Sequence, residues 1–86
     1  MPTIAYIGSI QIRIYDDDHG VPHFHAVSPT FDAKIAIADF SVISANGHLR
    51  GRDLSVIRAW GQMHRGALDL NWRLAREGQP LQDIEG

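Results

Sequence analysis

The feature that most constrains this chain is a change of hydrophobic period about halfway along it. Up to about residue 44, apolar residues alternate with polar ones, as in Ser9–Tyr15 and Phe31–Ala38. From Asp53 to about Glu77 they recur at spacings of three and four. Alternation is typical of strands with one buried face, and the longer spacings are typical of an amphipathic helix. The chain is therefore predicted to be α+β, with strands first and helix last.

The first half predicts an N-terminal antiparallel β-meander of three to five short strands. Turn residues interrupt the apolar segments at Asp16–Gly20, at Ser28–Thr30 and around Asp39. Asn46-Gly47 then marks a further tight turn. The strands between these turns are predicted at Ser9–Tyr15, His23–Val27, Phe31–Ala38 and Val42–Ser44.

The second half predicts one long or kinked C-terminal α-helix packed on the sheet. Gly78 and Pro80 end it, and Gly61 and Gly66 each weaken it by about 1 kcal/mol, a pattern that allows a kink or break near Gly66. Its apolar arc spans roughly 220°, whereas one contact with a sheet requires only ~100°. The surplus predicts contact with a second small protein or a homodimer, unless the C-terminal segment covers it. The expected partner-binding residues are Trp60, Met63, Leu70 and Leu74.

Length and composition limit the class of protein. The chain has 86 residues, so residues 1–86 are expected to form a single domain. It has no cysteine, which excludes disulfides and thiolate zinc sites and favours a reducing, cytoplasmic location. No apolar run approaches the ~20 residues of a membrane span, and the first residues lack a signal-peptide pattern, so no membrane partner is expected.

Charge is distributed unevenly along the chain. Residues 1–43 carry two basic residues against five aspartates, whereas residues 50–76 carry six arginines and two aspartates. A basic helix is either a solvated face or a surface that attracts an acidic partner. RNA is therefore one candidate partner.

The residues best suited to chemistry lie in the segment His23–His25. In a strand, the two histidines project from one face about 6–7 Å apart, with Phe24 on the other face. Two imidazoles placed in this way can act as an acid–base pair near neutral pH. A neighbouring arginine or tyrosine can stabilise developing negative charge. His64 lies between two apolar stripes of the predicted helix and can face the same strand. The candidate catalytic residues are therefore His23, His25, His64, Arg13 and Tyr15.

The same strand supports two other interpretations. An H-x-H pair can place two imidazoles on one metal ion, and the third ligand would then be His19, beside His23 and His25. Zinc is the candidate metal in that case, and otherwise no cofactor is expected. Alternatively, the histidines are structural or merely exposed. We interpret Asp16–Asp18 as a solvated turn, because it lacks the spaced oxygen ligands of a calcium loop.

The histidine strand belongs to a longer motif, Asp18–Ala26. Further residues that belong to the same family pattern are spread over nearly the whole chain. They include Trp60, His64, Asn71, Trp72, Gly78, Leu81 and Ile84. These residues resemble a bacterial family known only as domain of unknown function 4160. The resemblance implies a compact strand-then-helix domain, encoded beside a second small protein in an arrangement like that of a toxin–antitoxin pair.

Three functional hypotheses remain, and whether the protein is an enzyme stays open among them. The first is a toxin-like component of a two-protein module, acting on RNA or translation through the histidine-lined site. The second is a non-enzymatic protein-binding or regulatory module that uses the C-terminal helix. The third is a histidine-rich metal-binding domain.

Overall fold

The computed structural model describes residues 3–84 as an antiparallel five-stranded sheet followed by two α-helices. Each strand pairs with the next along the chain, in the order β1-β2-β3-β4-β5, so the predicted meander is confirmed. The elements are β1 (Thr3–Ile7), β2 (Ile10–Arg13), β3 (His23–Val27), β4 (Phe31–Ala36), β5 (Val42–Gly47), α1 (Gly51–Met63) and α2 (Arg65–Arg76).

The two faces of the sheet differ in chemistry. On one face, Ile12 pairs with Ala26, which pairs with Ala33 on the next strand. Cross-strand partners share a face, so these residues form an apolar row across the sheet. The helices pack over this side, where the ring of Phe24 lies 6.4 Å from the ring of Trp60 in α1. The hydrophobic core therefore lies between the sheet and the two helices.

The prediction of one long or kinked C-terminal helix is wrong, because the structure contains two helices separated at His64. This residue has φ −121° and ψ 22°, outside the α-helical region. A continuous helix over Gly51–Arg76 would measure about 39 Å. The whole molecule is only 33 Å along its longest axis. The break lets both α1 and α2 bury apolar residues in the same core.

Two helical glycines near this break have opposite surroundings. A Cβ at Gly61 would lie 2.5 Å from Cε1 of Phe40, a ring that is 1% exposed, whereas a Cβ at Gly66 would meet no heavy atom within 4 Å. We expect Gly61→Ala to lower the free energy of unfolding by about 1–2 kcal/mol, because overpacking exceeds the gain in helix propensity. Gly66→Ala should instead raise it by up to about 1 kcal/mol. Urea unfolding measures both, and stabilisation by Gly61→Ala would contradict the packing described.

The C-terminal segment covers part of the helical surface. Asn71 Nδ2 donates to the Gln82 carbonyl at 3.0 Å, and the Gln82 N–H donates to Asn71 Oδ1 at 2.7 Å. The Ile84 N–H donates to the Ile4 carbonyl on β1 at 2.7 Å. These bonds hold the last described residues across α2 and the edge of the sheet.

Part of the apolar helical surface remains open. Of the four residues expected to bind a partner, Trp60 is buried, Leu70 and Leu74 are half-buried, and Met63 is 80% exposed. A partner at this surface remains a proposal. In the part of the chain that the structure describes, neither helix has the length and apolar character needed to cross a membrane.

Candidate functional site

The candidate site forms where the loop after β2 returns to the start of β3. Two hydrogen bonds with Tyr15 fix Asp18 in this loop. The Asp18 N–H donates to the Tyr15 carbonyl, and the Tyr15 N–H donates to Asp18 Oδ2, both at 3.1 Å. Gly20 then turns the chain at φ 91°, which glycine adopts readily. The loop therefore brings the Asp18 carboxylate back to His23 and His25.

Asp18, His23 and His25 form a group of potential metal ligands, which we call the Asp–His–His cluster. His25 Nε2 lies 3.2 Å from Asp18 Oδ2, and His23 Nε2 lies 3.6 Å from the same oxygen. The ligand atoms of all three residues lie within 4.8 Å of one another. In a tetrahedral zinc site with bonds of about 2.0–2.1 Å, neighbouring ligand atoms are about 3.3–3.4 Å apart. The distances of 3.2 and 3.6 Å from Asp18 Oδ2 to the two histidine nitrogens lie on either side of that value.

His23 is the most constrained member of the cluster. It is 2% exposed, and its Nδ1 lies 2.7 Å from the Val21 carbonyl oxygen. A carbonyl only accepts hydrogen bonds, so Nδ1 carries the proton of the neutral ring and Nε2 presents a lone pair. Among residues 3–84, the buried Nε2 has no hydrogen-bond partner, and it faces the Asp18 carboxylate beyond hydrogen-bond distance. A metal ion or a proton between His23 Nε2 and the Asp18 carboxylate would satisfy the buried nitrogen.

Aromatic rings pack against both histidines. The ring of Tyr15 meets the ring of His25 edge-on, with centroids 4.7 Å apart. The ring of Trp72, from α2, lies 5.0 Å from the ring of His23. The side chains of Asp18 and His25 are 13% and 15% exposed, so solvent reaches part of the cluster.

Arg76 links α2 to the loop that contains Asp18. Its guanidinium lies 4.6 Å from the centroid of the Trp72 ring, and its Nη2 donates to the Asp16 carbonyl at 2.7 Å. These contacts hold Trp72 against His23 and limit the movement of the loop.

The structure brings some of the sequence-predicted site residues together and separates others. Arg13 pairs with His25 across β2 and β3, and its Nη1 donates to the Tyr15 hydroxyl at 3.3 Å. His64 instead lies between the two helices, where its ring packs on a core tryptophan at 4.9 Å. His19 is exposed in the loop. Neither His19 nor His64 belongs to the cluster of ligand atoms found among residues 3–84.

Asp18 is the member of the cluster that sequence reasoning missed, because the aspartate run was interpreted as a solvated turn. The signal that could have identified it is the spacing Asp18-x4-His23-x-His25 together with Gly20 and Pro22. A glycine and a proline between a carboxylate and a histidine strand allow the chain to turn back sharply. Its neighbours Asp16 and Asp17 are exposed, as a solvated turn predicts.

The Asp18 carboxyl ionises more readily than an ordinary aspartate. Partial burial by itself would raise its pKa. The hydrogen bond from the Tyr15 N–H, the hydrogen bond from His25 and the electrostatic attraction of His25 and His23 outweigh burial, and they hold the pKa below its usual value. The folded protein therefore favours the carboxylate form that a metal ligand needs.

This lowered pKa predicts how stability depends on acid. The contribution of Asp18 should be complete above its unfolded-state pKa of about 3.9, and it should be lost as the pH falls through the lower folded-state value. In metal-free buffer, the free energy of unfolding of the wild type minus that of Asp18→Asn should therefore decrease between about pH 5 and pH 2. Urea unfolding at each pH measures this difference, and an increase toward low pH would contradict the environment assigned to Asp18.

The meander, the two helices and the cluster together define a small α+β domain with a histidine–carboxylate site. The chain belongs to the family described as Domain of unknown function (DUF4160), whose model matches residues 9–73. The match includes all three cluster residues, and it confirms the family membership expected from the sequence. No curated protein matches the chain, and no solved structure matches it.

Proposed function

We propose that this protein binds a divalent transition-metal ion through Asp18, His23 and His25, and that zinc fits best. The observation that carries the proposal is the buried, unpartnered Nε2 of His23, which faces the Asp18 carboxylate at 3.6 Å. A bound cation would satisfy both groups at once. Three nitrogen and oxygen ligands are also the set that catalytic zinc sites use when a fourth position is left for water or substrate.

The surroundings of His23 support this proposal. Its Nδ1–H donates to the Val21 carbonyl, which fixes both the tautomer and the orientation of the ring. Histidines that bind metals commonly donate their other N–H in this way. The ring of Trp72 restrains His23 from the side of α2. Nε2 is therefore held ready for a metal without a rearrangement of the ring.

A calorimetric zinc titration of the metal-free protein tests the proposal. The wild type should bind one zinc ion per chain. His23→Ala should weaken binding by at least about 100-fold, because even loss of an outer-shell partner commonly weakens a metal site 10- to 100-fold. Asp18→Asn should have a similar effect, since it removes the charged ligand.

Matched histidine variants control for non-specific binding. His19→Ala removes a histidine next to Asp18 in sequence, and His48→Ala removes an exposed histidine after β5. Neither residue belongs to the cluster. Both variants should keep the wild-type zinc affinity. Equal zinc binding by folded His23→Ala and by His19→Ala would refute the site.

A toxin-like role on RNA or translation, within a two-protein module, is a second proposal. Its acid–base step is supported by the separation of 5.2 Å between the ring centroids of His23 and His25, with Arg13 paired beside His25. In this alternative the two imidazoles act as acid and base without a metal. Expression of the protein without its partner should arrest growth, and the double variant His23→Ala, His25→Ala should relieve the arrest. Continued arrest by the folded double variant would rule out the histidine mechanism.

A further inference from the structure

We propose that the ligand of this metal site is a phosphate group, held between the metal ion and the side chains of Arg13 and Lys34. The inference rests on the proposed metal-binding function and adds the chemical class of what binds there. Arg13 pairs with His25 across β2 and β3, and Lys34 pairs with His25 across β3 and β4. Cross-strand partners share a face, with Cβ atoms about 4.5–5.5 Å apart. Two cations therefore flank a metal ligand on one face of the sheet.

Arg13 is held in a position suited to an anion. Its Nε and Nη2 donate to Gln11 Oε1 at 3.2 and 2.7 Å, and its Nη1 donates to the Tyr15 hydroxyl at 3.3 Å. A guanidinium has five N–H groups, so one remains free on each terminal nitrogen. Free N–H groups on both terminal nitrogens can donate to phosphate oxygens.

The positive charges on this face are not neutralised by the protein. Within residues 3–84, the close contacts between basic and acidic side chains are those of Asp18 with His23 and His25, and none involves Arg13 or Lys34. The partners of the Arg13 guanidinium are an amide and a phenol, which are neutral. A half-buried guanidinium without a carboxylate therefore keeps its full charge for a ligand.

The nearby acidic residues do not block an approach from the sheet face. Asp16 and Asp17 are exposed in the loop. Asp32, which is also exposed, lies on β4 two residues before Lys34. A divalent metal ion in direct contact with the phosphate attracts it more strongly than these more distant exposed carboxylates repel it. The divalent metal also offsets the charge of Asp18. A phosphate has enough oxygens to contact the metal, the guanidinium and the ammonium together.

Calorimetric titration of the zinc-loaded protein at low ionic strength tests the inference, with inorganic phosphate and a dinucleoside monophosphate as separate probes. Arg13→Gln and Lys34→Gln should each weaken binding of the better probe about tenfold or more, since hydrogen bonds between charged groups are lost. Neither variant should bind zinc more weakly than the wild type does, since neither residue is a proposed metal ligand. Arg52→Gln, which removes an exposed arginine of α1, is the charge-matched control and should bind the probe as the wild type does.

The outcomes separate the two proposals. Preference for inorganic phosphate supports a free phosphate or monoester, and preference for the dinucleoside monophosphate supports a phosphodiester. The phosphate inference is overturned, and the metal site stands, if the wild type binds zinc but neither probe. The same holds if Arg13→Gln, Lys34→Gln and Arg52→Gln all bind the probe equally. If the wild type binds no zinc, both proposals are overturned.

Discussion

Zinc should raise the melting temperature of the wild-type protein by roughly 10–20 °C. A ligand that binds only the folded state stabilises it by about 2.7 kcal/mol at 100 times its dissociation constant. In a domain of this size, each 1 kcal/mol shifts the melting temperature by roughly 4–8 °C. The unfolded chain does not hold Asp18, His23 and His25 together, so binding is coupled to folding. Circular dichroism melts with zinc and with a chelator give the two temperatures.

Asp18→Asn is the most informative variant for this measurement. The substitution removes the charged ligand but keeps the size of the side chain, and its carbonyl oxygen can still accept the hydrogen bond from the Tyr15 N–H. The metal-free variant should therefore remain folded and show almost no zinc-induced shift. His48→Ala should keep the full shift. A folded Asp18→Asn protein with the wild-type shift would show that zinc acts elsewhere.

Gly47→Ala should destabilise the fold strongly, by roughly 3 kcal/mol or more. Gly47 lies in β5 at φ 84°, and a Cβ there would clash with the carbonyl oxygen of Thr30. The substitution combines a left-handed backbone penalty of about 1–2 kcal/mol with a clash against backbone that cannot rotate away. Because Gly47 pairs with Phe31, we expect the clash to disrupt the pairing of β4 with β5. Urea unfolding measures the loss.

Gly8→Ala provides the matched control for this prediction. Gly8 has φ 59°, also in the left-handed region, but a Cβ there would meet nothing within 4 Å. It should therefore show the backbone penalty alone, about 1–2 kcal/mol. Equal destabilisation by Gly8→Ala and Gly47→Ala would mean that the close approach of β5 to Thr30 is not present in solution.

The strands could be predicted where local signals agree. Pro22 and the turn at Ser28–Thr30 bound a short apolar segment, and β3 has the predicted limits, His23–Val27. β1 was not predicted, because an irregular register between Thr3 and Ala5 disturbs its alternation, and Ile4 and Ala5 are both buried. Asn46-Gly47 was interpreted as a tight turn, but both residues belong to β5. These differences arise from pairing between strands, which a local pattern does not contain.

The site could be predicted only in part, because a local pattern contains its strand geometry but not its tertiary contacts. His23 and His25 are two residues apart, so their proximity follows from the geometry of a strand. Asp18 reaches them through hydrogen bonds to Tyr15 and a turn at Gly20, and Trp72 reaches His23 only because α2 packs at this end of the sheet. Contacts of this kind depend on tertiary packing.

X-ray absorption at the zinc edge of the wild-type protein, loaded with one equivalent of zinc, tests the proposed metal site most directly. We expect nitrogen and oxygen ligands at about 2.0–2.1 Å, with the multiple-scattering signal of two imidazoles. His25→Ala should retain the signal of one imidazole, and His19→Ala should retain both. A wild-type spectrum with fewer than two imidazoles, or one that His25→Ala leaves unchanged, would contradict metal binding by Asp18, His23 and His25.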